Sequence, residues 1–506
     1  MHPILTALQH HARERPSAMA VQGADRSLTY QVLWREVELL AAQLSRAGQG
    51  VVGLLADNGP EWLVMDLAAA YADRPLVPIP AFFSAGQLAH TLEDAGIRSL
   101  FTDQADYLGS LELRNQQPLE ICDTRWQQLD LQVEEKTPRF PPATAKLSYT
   151  SGTTGTPKGV CLSSEAMCLV AESLRARTAV SETDHHLCLL PLATLLENIA
   201  GVYVPLLAGA RVCVPPLAEV GLRGGAGVDI QRLLCALESY RATRAILLPQ
   251  MLQEMVEALE EDGGLEQAAG LRFLAVGGAP VAHSLLTRAT GLGLPVYEGY
   301  GLSECASVVA VNAPAADRPG TVGKPLPHVR LDFAADGEIL VSGACFQGYL
   351  GAMEAPAADP WPTGDLGFLD DEGYLHLSGR KKNMFITSFG RNVVPEWVER
   401  ELVLQPSIHQ AAVFGEGRPW NVAVVVKAAG TDNAMVDAAI TVANRALPDY
   451  AQVRSWVPAT EAFQLDNEQL TATGRLRRAV IREIYAPLCE SLYQDGEQAC
   501  NKEEFI

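Results

Sequence analysis

The ten residues that read TSGTTGTPKG, from Thr150 to Gly159, have the clearest potential for chemistry. Their small side chains let the backbone approach an anion closely, and their hydroxyl and amide groups are hydrogen-bond donors. Lys158 adds a positive point charge, so the segment predicts a phosphate site. It does not fit the Walker pattern G-x-x-x-x-G-K-[ST], because Lys158 follows a proline and precedes a glycine. A P-loop NTPase is therefore not expected.

The chain around this segment alternates short apolar runs with helical periods. Strand-like runs such as VVGLLA and AILLP are separated by stretches such as EWLVMDLAAAYA and QRLLCALESY. Alternation at this spacing predicts parallel α/β sheets covered by helices, and its two successive blocks, up to Tyr300, predict two such layers. From Pro319 to Leu377 short runs broken by Gly and Asp-Gly predict hairpins of an antiparallel sheet or small barrel.

The pattern changes again after Gly379. PEWVERELVLQ predicts a helix opened by Pro395, and AAVFG and VAVVVKAA predict paired strands. We therefore expect an α/β protein with a large N-terminal domain, residues 1–378, made of two α/β sheet layers and a small β-barrel-like unit. A small mobile α+β C-terminal domain, residues 379–506, should follow.

Composition restricts the class of protein. The chain has 506 residues and a formal net charge of −21, which disfavours nucleic acid as a partner. Its 10 cysteines contain no C-x-x-C pair, which predicts reduced thiols rather than a zinc site or a disulfide framework. The N-terminus lacks the features of a secretory signal, and prolines and Arg211 interrupt the most apolar stretch. These features predict a cytoplasmic enzyme or binding protein without a transmembrane segment.

TSGTTGTPKG resembles the phosphate loop of the adenylate-forming (AMP-binding) superfamily, which includes acyl-CoA synthetases, peptide-synthetase adenylation domains and firefly luciferase. Further segments fit the same family in the same order, and the resemblance extends from about residue 20 to about residue 495. It is closest to the long-chain fatty acyl-CoA synthetases. The segments are VGGAP at 276–280, YEGYGLSE at 297–304, TGDLG at 363–367, GRKKNMFITSFGRNVVPEWVE at 379–399 and LTATGRLRRAVI at 470–481.

The resemblance implies a role for each matching residue. Tyr300 would stack on adenine, Glu304 would bind the Mg²⁺ carried by ATP, and Asp365 would accept hydrogen bonds from the ribose hydroxyls. Lys158, Glu304, Arg380 and Arg475 are the implied catalytic residues. The other implied positions are Thr150, Ser151, Gly152, Thr153, Thr154, Gly155, Gly278, Ala279, Pro280, Gly301 and Ser303 at the nucleotide, Lys382 at the hinge and Gly390 near the thiol tunnel.

The C-terminal catalytic loop departs from the family pattern, because Arg475 replaces the catalytic lysine. Arginine keeps the positive charge but is a planar fork rather than a compact ammonium. Our hypothesis is that Arg475 supports catalysis with reduced or altered efficiency. Two alternatives stay open: a neutral exchange, and a ligase-like protein that has lost the first half-reaction.

The segment from Leu189 to Ala210 matches the acyl side of the family's site. An apolar wall suits a fatty or aryl carboxylate, and the segment lacks the Asp that peptide-synthetase domains present to a substrate ammonium. Thr194 stands where long-chain enzymes usually have His, and Glu197 fits either a family role or an ordinary helix surface. His185 and His186, in the polar run SETDHH, are expected on the surface.

The expected activity is ATP-dependent activation of a carboxylic acid, a fatty acid by this resemblance, as an acyl-adenylate. Rotation of the small domain would then admit the CoA thiol. The implied cofactors are ATP, Mg²⁺ and CoA. One alternative is an acyl-AMP ligase that loads the phosphopantetheine of an acyl-carrier protein. A non-catalytic nucleotide- or acyl-binding protein is another, and luciferase-like oxidation shares these motifs.

Overall fold

The computed structural model describes residues 2–46, 50–104, 108, 113–132, 140–150, 157–222, 227–262, 265–281, 283–351, 359–464, 466–471 and 474–503. The predicted phosphate-loop residues Ser151, Gly152, Thr153, Thr154 and Gly155 lie outside the described residues. Within the described part, no helix has both the length and the apolar character that a membrane span requires.

The helices begin at the local signals that the sequence provides. Ser84 and Gln87 form a capping box at the start of the helix that begins at Ala85, and Asp229, Ser163 and Asp432 cap three others. The helices are α1 (Pro3–Glu14), α2 (Tyr30–Arg46), α3 (Pro60–Tyr71), α4 (Ala85–Asp94), α5 (Ser164–Thr178), α6 (Val204–Ala208), α7 (Ile230–Ser239), α8 (Pro249–Asp262), α9 (Leu265–Ala268), α10 (His283–Gly291), α11 (Pro395–Val403), α12 (Asn433–Asn444) and α13 (Arg478–Glu503).

The strands are mostly short and apolar, as expected for sheets covered on both faces. They are β1 (Met19–Gln22), β2 (Ser27–Thr29), β3 (Val52–Leu55), β4 (Leu76–Pro78), β5 (Ser99–Thr102), β6 (Leu113–Ile121), β7 (Thr124–Leu131), β8 (Thr144–Thr150), β9 (Lys158–Ser163), β10 (His185–Leu187), β11 (Arg211–Cys213), β12 (Arg244–Leu247), β13 (Phe273–Val276), β14 (Val296–Tyr300), β15 (Ala310–Val311), β16 (Lys324–Pro325), β17 (Arg330–Phe333), β18 (Glu338–Ser342), β19 (Trp361–Leu369), β20 (Leu375–Arg380), β21 (Phe385–Ile386), β22 (Asn392–Val393), β23 (Ile408–Phe414), β24 (Asn421–Lys427) and β25 (Val453–Pro458).

Two large sheets form the N-terminal part. One has seven strands in the order β6-β7-β5-β3-β4-β8-β9, and the other has nine in the order β16-β15-β14-β13-β12-β10-β11-β1-β2. Their central strands are parallel, for example β3 with β4 and β5, and β12 with β13. The largest buried apolar cluster contains residues from both sheets and from α2, α3 and α5. The predicted pair of α/β layers is confirmed.

The remaining sheets are small. Strands β17 to β20 form an antiparallel sheet in sequential order, which is the predicted small β unit. Beyond it lie the β21–β22 hairpin and the three-stranded sheet β23-β24-β25, packed against α11, α12 and α13. The chain is therefore a mixed α/β protein with a large N-terminal and a smaller C-terminal part, as predicted.

A buried polar network ties helix α3 to strand β8. Lys146 Nζ lies 2.7 Å from Asp66 Oδ1, and both side chains are almost fully buried. Tyr203 and Asn198 each donate a hydrogen bond to Asp66, at 2.9 and 3.0 Å. Because a buried charge is tolerated only when it is paired and hydrogen-bonded, this network accounts for a lysine in the protein interior.

Candidate active site

The carboxyl ends of the neighbouring parallel strands β13 and β14 form the base of the site. Backbone atoms approach closely here, since a Cβ atom on Gly301 would lie 1.6 Å from the carbonyl oxygen of Ser307. Gly278 has φ +87°, in the left-handed region that glycine adopts without strain. Gly301 is therefore required by the close backbone approach, and Gly278 by its left-handed conformation.

Tyr300, Asp365 and Arg380 form a hydrogen-bonded cluster beside this base. The Tyr300 hydroxyl donates to Asp365 Oδ2 at 2.8 Å, and Arg380 Nε donates to Oδ1 at 2.6 Å. Asp365 faces Arg380 directly across the β19–β20 pair, which explains their contact. Burial lowers the pKa of Arg380, but the Asp365 carboxylate outweighs burial and raises it. The structure thus brings together three residues from three separate sequence motifs.

Lys158 and Glu304 both contact Tyr349, a residue that the sequence analysis missed. The Tyr349 hydroxyl donates to Glu304 Oε1 at 2.7 Å, and Lys158 Nζ lies 5.7 Å from the centre of the Tyr349 ring. A β-bridge between Val160 and Tyr349 ties the backbone of Tyr349 to strand β9. Its place in the run QGYLG, downstream of a strand, offered no chemical signal.

Replacing Tyr349 with phenylalanine removes the hydroxyl group and keeps the ring. We expect activity with MgATP to fall about tenfold, because a hydrogen bond to a charged group contributes about 1.5 kcal/mol. Pyrophosphate release measured at several ATP concentrations checks this. Tyr71→Phe, at an exposed tyrosine on helix α3, is the matched control and should leave the rate unchanged. Equal rates for both variants would show that the Tyr349 hydroxyl does not contribute to activity.

Arg475 reaches this site from the C-terminal part of the chain. Its Nε donates to the carbonyl oxygen of Gly278 at 2.9 Å. Burial is the first cause that lowers the pKa of Arg475, and Arg380 is the second, while the acidic groups Asp365 and Glu304 oppose them. Burial, Arg380 and Arg475 also lower the pKa of Lys382. Three cationic side chains, Arg380, Lys382 and Arg475, therefore lie close to the carboxylates of the site, as binding of a polyanion requires.

The other predicted positions have less distinctive surroundings. Thr150 ends β8 and pairs with Lys158 across the β8–β9 hairpin. Ser303 begins the short 3₁₀ turn that contains Glu304, and Ala279 and Pro280 follow Gly278 at the strand end. Gly390 stands apart: it lies in the exposed turn between β21 and β22, where its amide donates to the carbonyl oxygen of Thr387.

The predicted acyl segment contains a π-helix, Glu197–Tyr203. Glu197 is completely buried, and its oxygens accept from His186 Nε2 at 2.8 Å and from the backbone amide of Leu190 at 3.1 Å. The expectation that His186 is a surface residue was wrong, because the polar run that contains it leads directly into the buried strand β10. Cys188 completes a group whose ligand-type atoms lie within 4.8 Å, and burial raises the pKa of its thiol well above the usual value.

Gly201 makes room for this buried pair. A Cβ atom there would lie 2.1 Å from Glu197 Oε1 and 2.6 Å from His186 Nε2. We expect Gly201→Ala to cost about 2 kcal/mol of folding free energy through overpacking, seen as a lower Tm. Gly86→Ala is the control, because nothing lies within 4 Å of its Cβ position in helix α4 and alanine favours helices. A Tm unchanged in both variants would contradict the close packing of Glu197 and His186 against Gly201.

Glu298, on strand β14 beside the site, should make stability depend on pH. Burial raises the pKa of its carboxyl to about 8, against the opposing effect of Arg400. Because this pKa is higher in the folded than in the unfolded state, the stabilisation by the protonated Glu298 carboxyl is complete below the unfolded-state pKa. It is lost as pH rises through about 8. As pH rises from 6 to 9, the Tm of the wild-type protein should therefore fall relative to the Tm of Glu298→Gln. The exposed control Glu261→Gln should show the same change of Tm with pH as the wild type. Parallel curves of Tm against pH for all three proteins would refute the raised pKa of Glu298.

Comparison with known families identifies both parts of the chain. Residues 8–350 match the family described as AMP-binding enzyme, and residues 382–497 match the AMP-binding enzyme C-terminal domain. The long-chain-fatty-acid–CoA ligase FadD15 of Mycobacterium bovis is 29% identical over 91% of this chain and 93% of its own length. A feruloyl-CoA synthase of Amycolatopsis is 31% identical, covering 83% and 88%, and a 2-succinylbenzoate–CoA ligase of Bacillus pumilus is 27% identical, covering 81% and 84%.

Solved structures with the same fold span almost the whole chain. The anthranilate CoA ligase AuaEII, in complex with anthranoyl-AMP, superimposes with a TM-score of 0.79 at 19% identity, covering 95% of this chain and 96% of that one. ATP-bound MatB from Rhodopseudomonas palustris gives 0.76 at 22% identity, covering 96% and 99%. Together with the family matches over both parts of the sequence, these similarities show that the chain belongs to the AMP-binding enzymes, as an AMP-forming acid–thiol ligase.

Proposed function

We propose that this protein activates a fatty acid with ATP to give an acyl-adenylate and transfers the acyl group to the thiol of CoA. The convergence of Arg475, Arg380 and Lys382 around Asp365 and Glu304 is the observation that carries the proposal. In this reaction a carboxylate oxygen attacks the α-phosphorus of ATP and pyrophosphate leaves. Both reactants are anionic, so positioning and cationic stabilisation account for most of the rate.

Different residues of the site bind different parts of the nucleotide. Asp365 uses its remaining lone pairs to accept from the ribose hydroxyls, while its bond to Tyr300 fixes the aromatic ring beside the base. Arg380 lies between the ribose and the phosphates, and Lys158, with Thr150 and the following loop, binds the outer phosphates. Arg475 stabilises charge on the α-phosphate, tethered by its contact with Gly278.

Glu304 suits Mg²⁺, which prefers oxygen ligands. Tyr349 donates to Glu304 Oε1 and thereby orients the carboxylate, which would hold the ion. Magnesium bound with ATP would neutralise phosphate charge. No protein-built metal cage is needed for this role, since Mg²⁺ is usually held by one or two carboxylates together with substrate phosphates.

The acyl segment supports a fatty acid rather than an amino acid. Both oxygens of Glu197 are engaged inside the protein, so this carboxylate is not offered to a substrate ammonium. The Thr194 hydroxyl donates to the carbonyl oxygen of Pro191 and is likewise occupied. Leu189, Leu190 and Leu192 are buried around them. The FadD15 relative, a long-chain-fatty-acid–CoA ligase, supports the same choice.

A screen of pyrophosphate release over fatty, aryl and amino acids tests the proposal. Release that depends on ATP and on a fatty acid, followed by CoA-dependent loss of the acyl-adenylate, is the expected result. Release with aryl acids alone would overturn the fatty-acid assignment, because relatives of this chain include a feruloyl-CoA synthase. Background release with every acid, together with measurable ATP binding, would instead select a non-catalytic binding protein.

The acceptor needs its own comparison. CoA and a phosphopantetheinylated acyl-carrier protein are added separately to enzyme that holds the acyl-adenylate. Consumption of the acyl-adenylate by CoA supports our proposal, whereas consumption by the carrier protein alone identifies an acyl-AMP ligase.

We also propose that residues 379–506 rotate as a mobile domain between the two half-reactions, with Lys382 at the hinge and Gly390 beside the entering thiol. The nine described cysteines are all free, which supports a cytoplasmic location.

A further inference from the structure

Two cysteines lie next to each other beside the candidate active site. The Sγ atoms of Cys305 and Cys345 are 3.9 Å apart. Cys305 is buried and Cys345 is partly exposed, so a small reagent reaches the pair through Cys345. Forty residues separate the two positions in the sequence, and no C-x-x-C motif marks them.

Backbone contacts hold the two segments together. Cys305 directly follows Glu304, and Cys345 directly precedes Phe346. The Phe346 amide donates to the carbonyl oxygen of Glu304 at 2.6 Å. The two thiols therefore stay close through a hydrogen bond between their immediate neighbours. A disulfide needs an Sγ–Sγ distance of about 2.05 Å, so the sulfur atoms have to approach by a little under 2 Å.

We propose that Cys305 and Cys345 form a reversible disulfide that regulates the enzyme. The Cys345 thiolate attacks one sulfur of a low-molecular-weight disulfide, forms a mixed disulfide and expels one thiolate. The Cys305 thiolate then attacks the Cys345 sulfur and expels the second. The protein loses two thiol protons and two electrons, and the small disulfide is reduced to two thiols. Cytosolic disulfides are usually transient and redox-sensing in this manner.

The disulfide would act on the site through Glu304. Ala306 and Ser307, which follow Cys305, have φ values of 50° and 101°. Because non-glycine residues seldom adopt this region, the turn has little freedom to absorb a displacement. Movement of Cys305 toward Cys345 therefore shifts Glu304 relative to Tyr349. A displacement of about 1 Å at a reacting centre can lower a rate about 100-fold, and we expect a reversible loss of at least about tenfold.

Disulfide mapping on the whole 506-residue chain tests the pair independently of the proposed function. The protein is treated with glutathione disulfide, alkylated, digested without reduction and analysed by mass spectrometry. A peptide that joins Cys305 to Cys345, and that disappears after dithiothreitol, is the expected result. Glutathione that remains on Cys345 of the wild type, or absence of the joined peptide at complete oxidation of exposed thiols, overturns the proposal.

Activity measurements then test the regulatory effect. Each protein's rate of pyrophosphate release after oxidation is compared with its own rate in the reduced state. Wild type and Cys235→Ser, a control at an exposed thiol on helix α7, should lose activity and recover it with dithiothreitol. Cys345→Ser and Cys305→Ser should resist oxidation. Full activity in wild-type protein that carries the mapped disulfide would overturn regulation, and no release from any reduced protein would count against the proposed function instead.

Discussion

Arg475→Ala should lower the rate of acyl-adenylate formation about 100- to 1,000-fold, the usual cost of removing one preorganised group that stabilises transition-state charge. The Arg475 guanidinium lies in a partly buried setting with Arg380, Asp365 and Glu304, and its Nε is fixed by Gly278. In such surroundings a positive charge acts more strongly than it does in water. Burst measurements of pyrophosphate release give the rate of this half-reaction directly.

Arg475→Lys separates the charge from its geometry. We expect about a tenfold loss, because lysine keeps the positive charge but cannot make the Nε contact with Gly278 and has no planar fork. A many-fold gain over wild type would show that arginine impairs the enzyme, and an equal rate would show a neutral exchange. Transfer from a preformed acyl-adenylate to CoA should change little in either variant.

The control for Arg475 is its neighbour Arg477. Arg477 lies in the same segment, 470–481, at 3.7 Å from Glu468, and its side chain is 39% exposed. Arg477→Ala should retain the wild-type rate, since exposed ion pairs contribute little. If Arg477→Ala lost as much activity as Arg475→Ala, the loop as a whole rather than the contact with Gly278 would be responsible.

Asp365→Asn should reduce kcat/KM for ATP about 100-fold and should also lower the Tm. The amide keeps the shape of the carboxylate but removes its charge, so Arg380 loses its counter-ion while it remains largely buried. Breaking such a pair costs about 3 kcal/mol. The Tyr300 hydroxyl also loses its charged acceptor. Calorimetric titration with ATP should show weakened binding, whereas the KM for the acid should change much less.

Asp370→Asn is the matched control on the same hairpin. Asp370 forms an ion pair with Arg318 at 2.7 Å and accepts from His376 at 3.0 Å. Desolvation acts to raise the pKa of Asp370, but the hydrogen bonds from the Tyr374 amide, His376 and Arg318 outweigh it and lower the pKa. Asp370→Asn should therefore also reduce the Tm but leave ATP binding unchanged. Equal weakening of ATP binding by both variants would mean that Asp365 acts through the stability of the hairpin alone.

The site residues proposed from the amino-acid sequence lie in short local patterns, which can be read along the chain, and their roles stay predictions. Asp365 and Arg380 belong to different motifs, and their contact could be anticipated only from the family resemblance. Tyr349 lies in no recognised motif, so its contacts with Lys158 and Glu304 gave no signal. His186 was misassigned, since the polar run before it resembles a surface loop while its buried partner, Glu197, lies in a π-helix.

Local patterns by themselves determined the fold class and the succession of two α/β layers along the chain, and they predicted a phosphate site. Hydrophobic periodicity and turn residues act over about ten residues and are visible in the linear chain. Tertiary structure alone decided which distant groups meet: Arg475 with Gly278, Tyr349 with Glu304, and Cys305 with Cys345. Strand register and the packing of separate elements bring these side chains together, and both depend on contacts across the whole chain rather than on neighbouring residues.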